Sequence, residues 1–385
     1  MHARLARDFE RFGRELPRDA ASYIREAYGI DLTARYLGFE LPHPIGKGSG
    51  QLSLNAEQLE ADRAAGLAFV VLKTVIAEDE AGARAMAAWA IHETRMRVER
   101  RPAADGREGW TVTWKGRGWD RSFDDYLALV RTAADLTRSG ELIAVPSVKY
   151  HLPRLAEPFR DAEYHYTTRR LAEAWGDGAL PLEKDFSPTL AGDPLADERA
   201  RILRWLREVP RRIRAAAGTS PVQLAVKLMN ARFDDAFQRE MMASAADADA
   251  LVCFNRLWDA AAGVAYGGRD LSDRNLRVLR SGEAGTGARP ALVGTGNVSS
   301  GRLVLDYARA GCESVELHTF FQLPLSEYPA SAGSRTQRAL HALFFDPVDG
   351  LVAGMLELEA AGALQRRGGE LRFLDLCAAA AGSTS

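Results

Sequence analysis

Lysine is nearly missing from this chain: six residues, Lys47, Lys73, Lys115, Lys149, Lys184 and Lys227, stand against forty-four arginines in 385 residues. Cysteine is scarce too. Cys253, Cys312 and Cys377 lie far apart with no C-x-x-C pair, which argues against a zinc site or an iron–sulfur cluster and fits a reduced compartment. No stretch approaches 18 uninterrupted apolar residues, so no membrane span is expected. The opening MHARLARDFERFGRELPRD lacks the apolar core of a secretory signal, and a cytoplasmic location is expected. A formal charge of -2 offers no bulk attraction to nucleic acid or anionic membranes. A small-molecule ligand is the expected partner, and self-association into a homodimer stays open.

The few lysines that remain are placed unusually. Lys73 ends AFVVLK, Lys149 ends LIAVPSVK, Lys184 follows ALPLE and Lys227 sits in VQLAVKLM. Four of six therefore fall in or at the end of apolar strand-like runs, where lysine is normally avoided. A compact ammonium aimed at a carboxylate, a phosphate or a polarisable ring is not interchangeable with the planar arginine fork. The plain alternative is that these side chains snorkel from strand ends into water.

Apolar strand patterns recur around Ile45 and over 67–72, 142–148, 180–186, 222–229, 249–254, 291–294 and 313–317. Helical patterns cover 55–65, 123–138, 197–217, 232–246 and 301–310. Strands alternating with helices predict a parallel sheet, and eight strands predict a (β/α)8 barrel, a fold that often exceeds 250 residues as one unit. Residues 1–36 read as an N-terminal helical extension, 37–375 as the barrel and 376–385 as a flexible tail. The run GFELPHPI reads as a short hairpin that could plug the barrel bottom. Segments 92–121 and 150–180 exceed ordinary barrel loops and hold Trp110, Trp114, Trp119, Tyr150, His151, Tyr164, His165 and Tyr166. They read either as lids and binding walls or as aromatic packing against the barrel.

The segment PALVGTGNVSSGRLVLDYARAGCESVELHTFFQ, residues 290–322, combines two short strands, a small-residue turn and a helix. Gly294, Thr295, Gly296 and Asn297 fall where the first strand should end, and His318 and Thr319 end the second. Two strand ends beside a helix N-terminus place backbone N–H donors where barrels commonly hold a phosphate. Read blandly, it is an ordinary βαβ turn whose glycines permit tight reversal.

Taken in order, these landmarks resemble the dihydroorotate dehydrogenase family of FMN-binding barrels, over roughly residues 31–75 and 180–365. GFELPHPIGKGSGQLSLN looks like the family's opening strand, whose turn of small residues, here Gly48 and Ser49, lies against the flavin. FVVLKTV resembles the second strand, with Lys73 by flavin and substrate, and VQLAVKLMN the strand whose lysine, Lys227, approaches the pyrimidine ring. LVCFNRLWD resembles a strand ending in a substrate-side asparagine, Asn255. YGGRDLSDRNLRVLR, with Gly267 and Gly268, looks like the family's glycine loop before a helix. GTGNVSSG and HTFF resemble the FMN phosphate site. The resemblance implies an FMN-dependent oxidoreductase of a dihydroorotate dehydrogenase-like type, moving hydride between a small cyclic or carbonyl-containing substrate and flavin N5. A cation at Lys227 would stabilise negative charge gathering near N1 and C2.

The family's catalytic loop, Asn-x-Ser-(Cys or Ser)-Pro-Asn, is altered here to Glu183-Lys184-Asp185-Phe186-Ser187-Pro188-Thr189. Ser187 is the candidate base, Asp185 its polarising partner and Lys73 a third catalytic candidate; Asn55, Lys73, Thr189 and Asn255 are the candidate substrate contacts. A serine hydroxyl needs such a partner to accept a proton. Only Asn255 keeps a recognition asparagine, which argues for a substrate other than dihydroorotate, since unmatched buried polar groups are costly. A true dihydroorotate dehydrogenase is the alternative, followed by a flavin-free phosphate-binding lyase or isomerase and a noncatalytic flavin-binding subunit. No metal is expected, and the electron acceptor stays open.

Overall fold

The computed structural model describes residues 2–382 except 88–95, 103–105, 115–117, 187–198, 231–233, 260–263, 267–269 and 282–289. Ten short parallel strands form one curled sheet in a mixed α/β fold. Their order is Val75–Ile76, Ser147–Lys149, Leu180–Asp185, Val222–Lys227, Ala250–Cys253, Ala291–Thr295, Cys312–Leu317, Ile45–Lys47, Phe69–Val71 and Ile143–Val145. All eight apolar runs read from the sequence lie in this sheet. The run 142–148 is split, and the run 67–72 is followed by a further short strand beyond its end. Pro146, which has no N–H for the ladder, separates Ile143–Val145 from Ser147–Lys149. Phe69–Val71 pairs with the first of these, and Val75–Ile76 with the second. The ends of the strand order are thus halves of two adjacent chain segments, and the ladder between them carries over through Leu72 N–H to Val145 O at 2.8 Å.

Helices alternate with the strands for the reason their sequences suggest: apolar faces bounded by side-chain caps. Asn55 caps Ala56–Ala64, Ser122 caps Phe123–Ser139 and Ser300 caps Gly301–Ala308, each accepting an otherwise unmatched amide. Ser334 forms a capping box with Gln337 at the start of Arg335–Phe345. The sheet strands are buried on both faces, as in Phe69, Val70 and Val71, all 0% exposed, which is what a parallel sheet covered by helices requires.

The N-terminal segment begins with helices His2–Phe12 and Ala20–Tyr28. The first lies on Arg335–Phe345, with the Phe12 and Phe345 rings 4.9 Å apart. Ala34–Tyr36 and Phe39–Leu41 form the expected hairpin, and it sends Tyr36 into the interior to stack on Phe69 at 4.6 Å. The tail expected from 376 is a correction: residues 376–382 belong to helix Phe373–Gly382, and Leu376 and Cys377 are buried. Apolar side chains at those two positions dock the helix beside strand Cys312–Leu317, with Cys377 Sγ 3.1 Å from Cys312 O. Among the described residues no helix is long and apolar enough to cross a membrane.

The long segments resolve differently. Residues 150–180 are mostly helix Asp161–Trp175, packed on Phe123–Ser139 and Arg199–Ala217. Tyr150 and Tyr164 stack at 4.2 Å inside that layer, so these aromatics are core rather than a binding wall, and His165 is exposed. The 92–121 segment instead carries the antiparallel hairpin Met96–Pro102 and Glu108–Trp114. Arg100 pairs with Glu327 and Arg107 with Asp273, both at 2.9 Å, and Val112 O accepts a hydrogen bond from Arg256. The hairpin is therefore tied to segments that follow two different sheet strands, Ala250–Cys253 and Cys312–Leu317.

Candidate functional site

All five described lysines are buried: Lys184 is 0%, Lys47 3%, Lys73 and Lys227 5%, and Lys149 7% exposed. None snorkels. Lys115 lies outside the described residues. Each ammonium has instead an internal oxygen. Lys227 Nζ is 2.6 Å from Glu316 Oε2 and 3.6 Å from Glu183 Oε1. Lys149 Nζ is 2.9 Å from Asp185 Oδ2. Lys73 Nζ donates to Gln51 Oε1 at 2.9 Å. Lys184 Nζ donates to Asp185 O at 2.8 Å and lies 4.2 Å over the Phe186 ring. Lys47 Nζ meets Asp62 Oδ1 at 2.5 Å on the helix side of the sheet.

The alternation of side chains along a strand explains the division. Glu183 and Asp185 are two apart on Leu180–Asp185, and both reach groups on neighbouring strands; Lys184 between them points to the other face. Burial would pull Lys227 down, but the carboxylates of Glu183, Glu316 and Asp185 outweigh it and hold it above the usual lysine range. Burial and the nearby Glu316 push Glu183 well above the usual carboxyl range. For Asp185 burial acts upward, yet Lys149, Lys227 and Lys184 hold it below that range. Lys184 makes no ion pair with a carboxylate side chain; burial, helped by Lys149, outweighs the pull of Asp185 and lowers it to about 7.

The turn Gly48–Gln51 gathers these groups at the C-terminal ends of the strands. Gly48 N–H extends the ladder to Leu317 O at 2.9 Å. A Cβ built on Gly48 would sit 3.1 Å from Glu316 Oε2 and 3.3 Å from Lys227 Nζ. Ser49 Oγ is 2.8 Å from Thr74 Oγ1, which is 3.0 Å from Ser147 Oγ. A Cβ on Gly50 would lie 2.1 Å from His318 Nε2, so glycine lets this turn pass under the imidazole without displacing it. Burial, together with Arg256, Lys73, Lys227 and Lys47, keeps His318 well below its usual value and therefore neutral.

The corner expected from the sequence to hold a phosphate is built as two strand-end turns. Gly296 and Asn297 both have positive φ, 96° and 53°, and Thr295 Oγ1 donates to Glu316 O at 2.9 Å. Asn275 Nδ2 donates to Phe254 O at 3.0 Å and Thr295 O at 2.9 Å, clamping the ends of two neighbouring strands. Gly294 packs under Tyr307, whose ring would be 2.5 Å from a Cβ there. The helix N-terminus expected to supply donors is partly spent. Arg302 N–H donates to Asp349 O at 2.9 Å and Leu303 N–H to Ser300 Oγ at 3.2 Å. Thr319 opens the 3-10 turn Thr319–Gln322 directly after His318.

Of the other expected site residues, Asn255 is half-buried at the end of its strand, its Oδ1 accepting from Arg256 N–H at 2.8 Å. Asn55 is drawn into local structure, its Oδ1 accepting from Gln58 N–H at 2.9 Å as a helix cap. Asp185 is held by Lys149 through one oxygen, while its Oδ1 is buried without a hydrogen-bond partner among the described residues. Ser187, Thr189, Gly267 and Gly268 lie outside the described residues. Glu316, Tyr36, Asn275 and Arg256 carry much of the arrangement and were not singled out by sequence; a glutamate inside the apolar run SVEL was the one available signal. No group of His, Cys, Asp and Glu able to hold a metal occurs among the described residues.

No protein-family model matches the chain, and no curated protein matches it. Function therefore has to be argued from the site.

Proposed function

We propose that the curled sheet is a closed (β/α)8 barrel that binds FMN across its strand C-termini, and that the protein is a dihydroorotate dehydrogenase-like oxidoreductase. The observation that carries this reading is the Gly48–Gln51 turn, which brings Lys227, His318 and Lys73 around one stretch of backbone that lacks side chains at 48 and 50. The residues fit the group. Glycines at 48 and 50 leave a backbone face on which a flat ring can rest, with a buried ammonium beneath it. The phosphate end fits the Gly296–Asn297 and His318–Thr319 turns better than the helix, whose Arg302 and Leu303 amides are taken. FMN, when bound, would supply a hydride acceptor at N5.

The chain's own residues then have separable tasks. Lys227 presents positive charge to the ring, and its hold on Glu316 keeps it in place. Lys73, positioned by Gln51, holds an anionic or carbonyl group of the substrate. Asp185 Oδ1 is an acceptor left for a hydroxyl donor, while Lys149 keeps that carboxylate ionised; the candidate base Ser187 lies outside the described residues. A preorganised, desolvated charge set of this kind lowers barriers without reorganising during the reaction.

The visible spectrum of the purified protein tests this directly. A yellow protein that releases FMN on denaturation supports it, and a colourless protein that cannot be reconstituted with FMN overturns it. Anaerobic bleaching by dihydroorotate would identify that substrate; bleaching only by other cyclic carbonyl compounds would favour the specialised enzyme.

A further inference from the structure

We propose that Glu183 and Glu316 hold one proton between them beneath Lys227, so that an anionic ligand seated on the Gly48 turn binds with uptake of a proton. The inference rests on the flavin reading for the ligand's identity, but its core is a count of buried charge. Three carboxylates, Glu183, Glu316 and Asp185, are 0%, 1% and 8% exposed, and the ammoniums that reach their oxygens, Lys227 and Lys149, are 5% and 7% exposed. Lys47 is taken by Asp62, and Lys184, on the other face of its strand, donates to Asp185 O at 2.8 Å and adds its charge to Asp185 rather than to the glutamates. Lys149 is matched to Asp185 at 2.9 Å. Lys227 is then left to serve both glutamates, at 2.6 Å and 3.6 Å. One ammonium neutralises one carboxylate. A second buried carboxylate without a cation is relieved most readily by a proton.

The surroundings agree with a shared proton. Tyr36 OH lies 3.3 Å from Glu316 Oε1 and 3.5 Å from Glu183 Oε2, and its single proton can serve only one of them. Tyr126, the other hydroxyl whose titration senses Glu183, donates to Ser147 O at 3.0 Å. Phe69 covers Tyr36 with an apolar face. Lys73 and Arg256, the remaining cations, gather around His318 beyond the strand ends. Burial and Glu316 both act to keep Glu183 protonated.

Coupling to the ligand follows from where Lys227 sits. Its Nζ is 3.3 Å from the point a Gly48 Cβ would occupy, so negative charge resting on that backbone draws on the same ammonium that now neutralises Glu316. The carboxylate pair then binds its proton more tightly, and at pH values where the free pair has begun to lose that proton it takes it back from solvent, forming only an O–H bond. Affinity for the anion falls as pH rises through the titration of the pair, by up to about tenfold per pH unit for a full proton.

Anaerobic calorimetric titration of the apoprotein with reduced FMN, whose ring is anionic once N1 is ionised, across pH and in buffers of different ionisation enthalpy, reads that uptake against the same titration with oxidised FMN, whose ring is neutral. At pH values where the reduced ring is already anionic, the wild type should show buffer-dependent heats, proton uptake and a Kd that rises with pH. Glu316→Gln should lose this component and keep only the titrations of reduced FMN itself, at its phosphate and N1. Identical proton uptake in both proteins would overturn the proposal. Failure of FMN to bind at any pH would remove the flavin reading, and infrared spectra of the apoprotein then decide the proposal separately. A protonated carboxylic acid band at neutral pH that bleaches on alkalinisation, and is lost in Glu316→Gln or Glu183→Gln, supports the shared proton; carboxylate bands alone refute it. The wild-type band settles the matter even if a variant does not fold.

Discussion

Lys47→Met separates the structural lysine from the functional ones and can be worked through quantitatively. Lys47 ends the strand that leads into the Gly48 turn, and its ammonium lies 2.5 Å from Asp62 Oδ1 with side chains 4% and 2% exposed. Thr336 joins both, accepting from Lys47 at 3.2 Å and donating to Asp62 Oδ1 at 2.9 Å. Asp62 Oδ2 has no hydrogen bond among the described residues. Removing the lysine leaves a buried carboxylate with one hydroxyl donor, which costs about 3–5 kcal/mol. With an unfolding entropy of about 2.1 cal/mol/K per residue over 385 residues, that is a fall in Tm of roughly 4–6 °C. The pH dependence has a definite sign. Burial already raises Asp62 above its usual value despite Lys47, and losing the lysine raises it further. A carboxyl raised in the folded state costs stability above its folded pKa, and the cost disappears as pH falls below the unfolded value. The deficit should therefore be largest at pH 7.5 and shrink toward pH 4.5 in thermal melts followed by circular dichroism. Lys47→Met combined with Asp62→Leu should recover most of the loss. A deficit unchanged between the two pH values, or no recovery in the double variant, would refute the assignment.

Three further outcomes are expected. Lys184→Met should stabilise the protein by on the order of 1–4 kcal/mol at pH 6. Because burial lowers Lys184 to about 7, the wild type regains stability between that value and the usual lysine value near 10.5. The gain should thus shrink by pH 10 in urea denaturation, and a variant less stable at both pH values would contradict it. Gly50→Ala should push the His318 ring aside, because the new Cβ meets only a side-chain tip at 2.1 Å. FMN affinity should drop at least about tenfold for a stability cost of about 1–3 kcal/mol, measured by fluorescence titration alongside melting. Gly301→Ala meets backbone instead, with Leu351 N at 2.1 Å and Gly350 C at 2.5 Å. It should cost about 3 kcal/mol or more and lower expression of folded protein.

The strands were legible because each is short, apolar and followed by a helical period, which is the signal a doubly covered parallel sheet leaves. Helix Asp161–Trp175 was missed because its buried face is built from Tyr164, Thr167, Thr168 and Leu171. Two threonines and a tyrosine there read as polar, yet Thr168 meets the Tyr150 hydroxyl at 2.7 Å and Thr167 bonds the backbone of Glu78. The hairpin over 96–114 escaped notice for the opposite reason, since its exposed arginines mask the alternation. Lysine placement pointed to the site, but the acids that hold those lysines did not stand out. A glutamate or aspartate in a strand is legible as interior only once the sheet curls and brings 183, 227 and 316 together from three separate strands.

Scarcity of lysine gives those five buried ammoniums their meaning. Where arginine serves nearly every solvated position, the remaining lysines sit in buried places: between two carboxylates, over a phenyl ring, or under a glycine turn. Arginine cannot release its proton at accessible pH, whereas a buried ammonium keeps a titratable charge whose value the neighbouring acids set. Lys184, with Asp185 alone acting on it and no ion pair, falls to about 7, while Lys227, with three acids in reach, is held above the usual range. The same residue type is thus tuned in opposite directions on two adjacent strands, and the difference lies in the carboxylates rather than in the burial. That places the discriminating chemistry of the site in Glu183, Asp185 and Glu316, and makes substitution of those acids, more than of the lysines, the sharper probe of what the site binds.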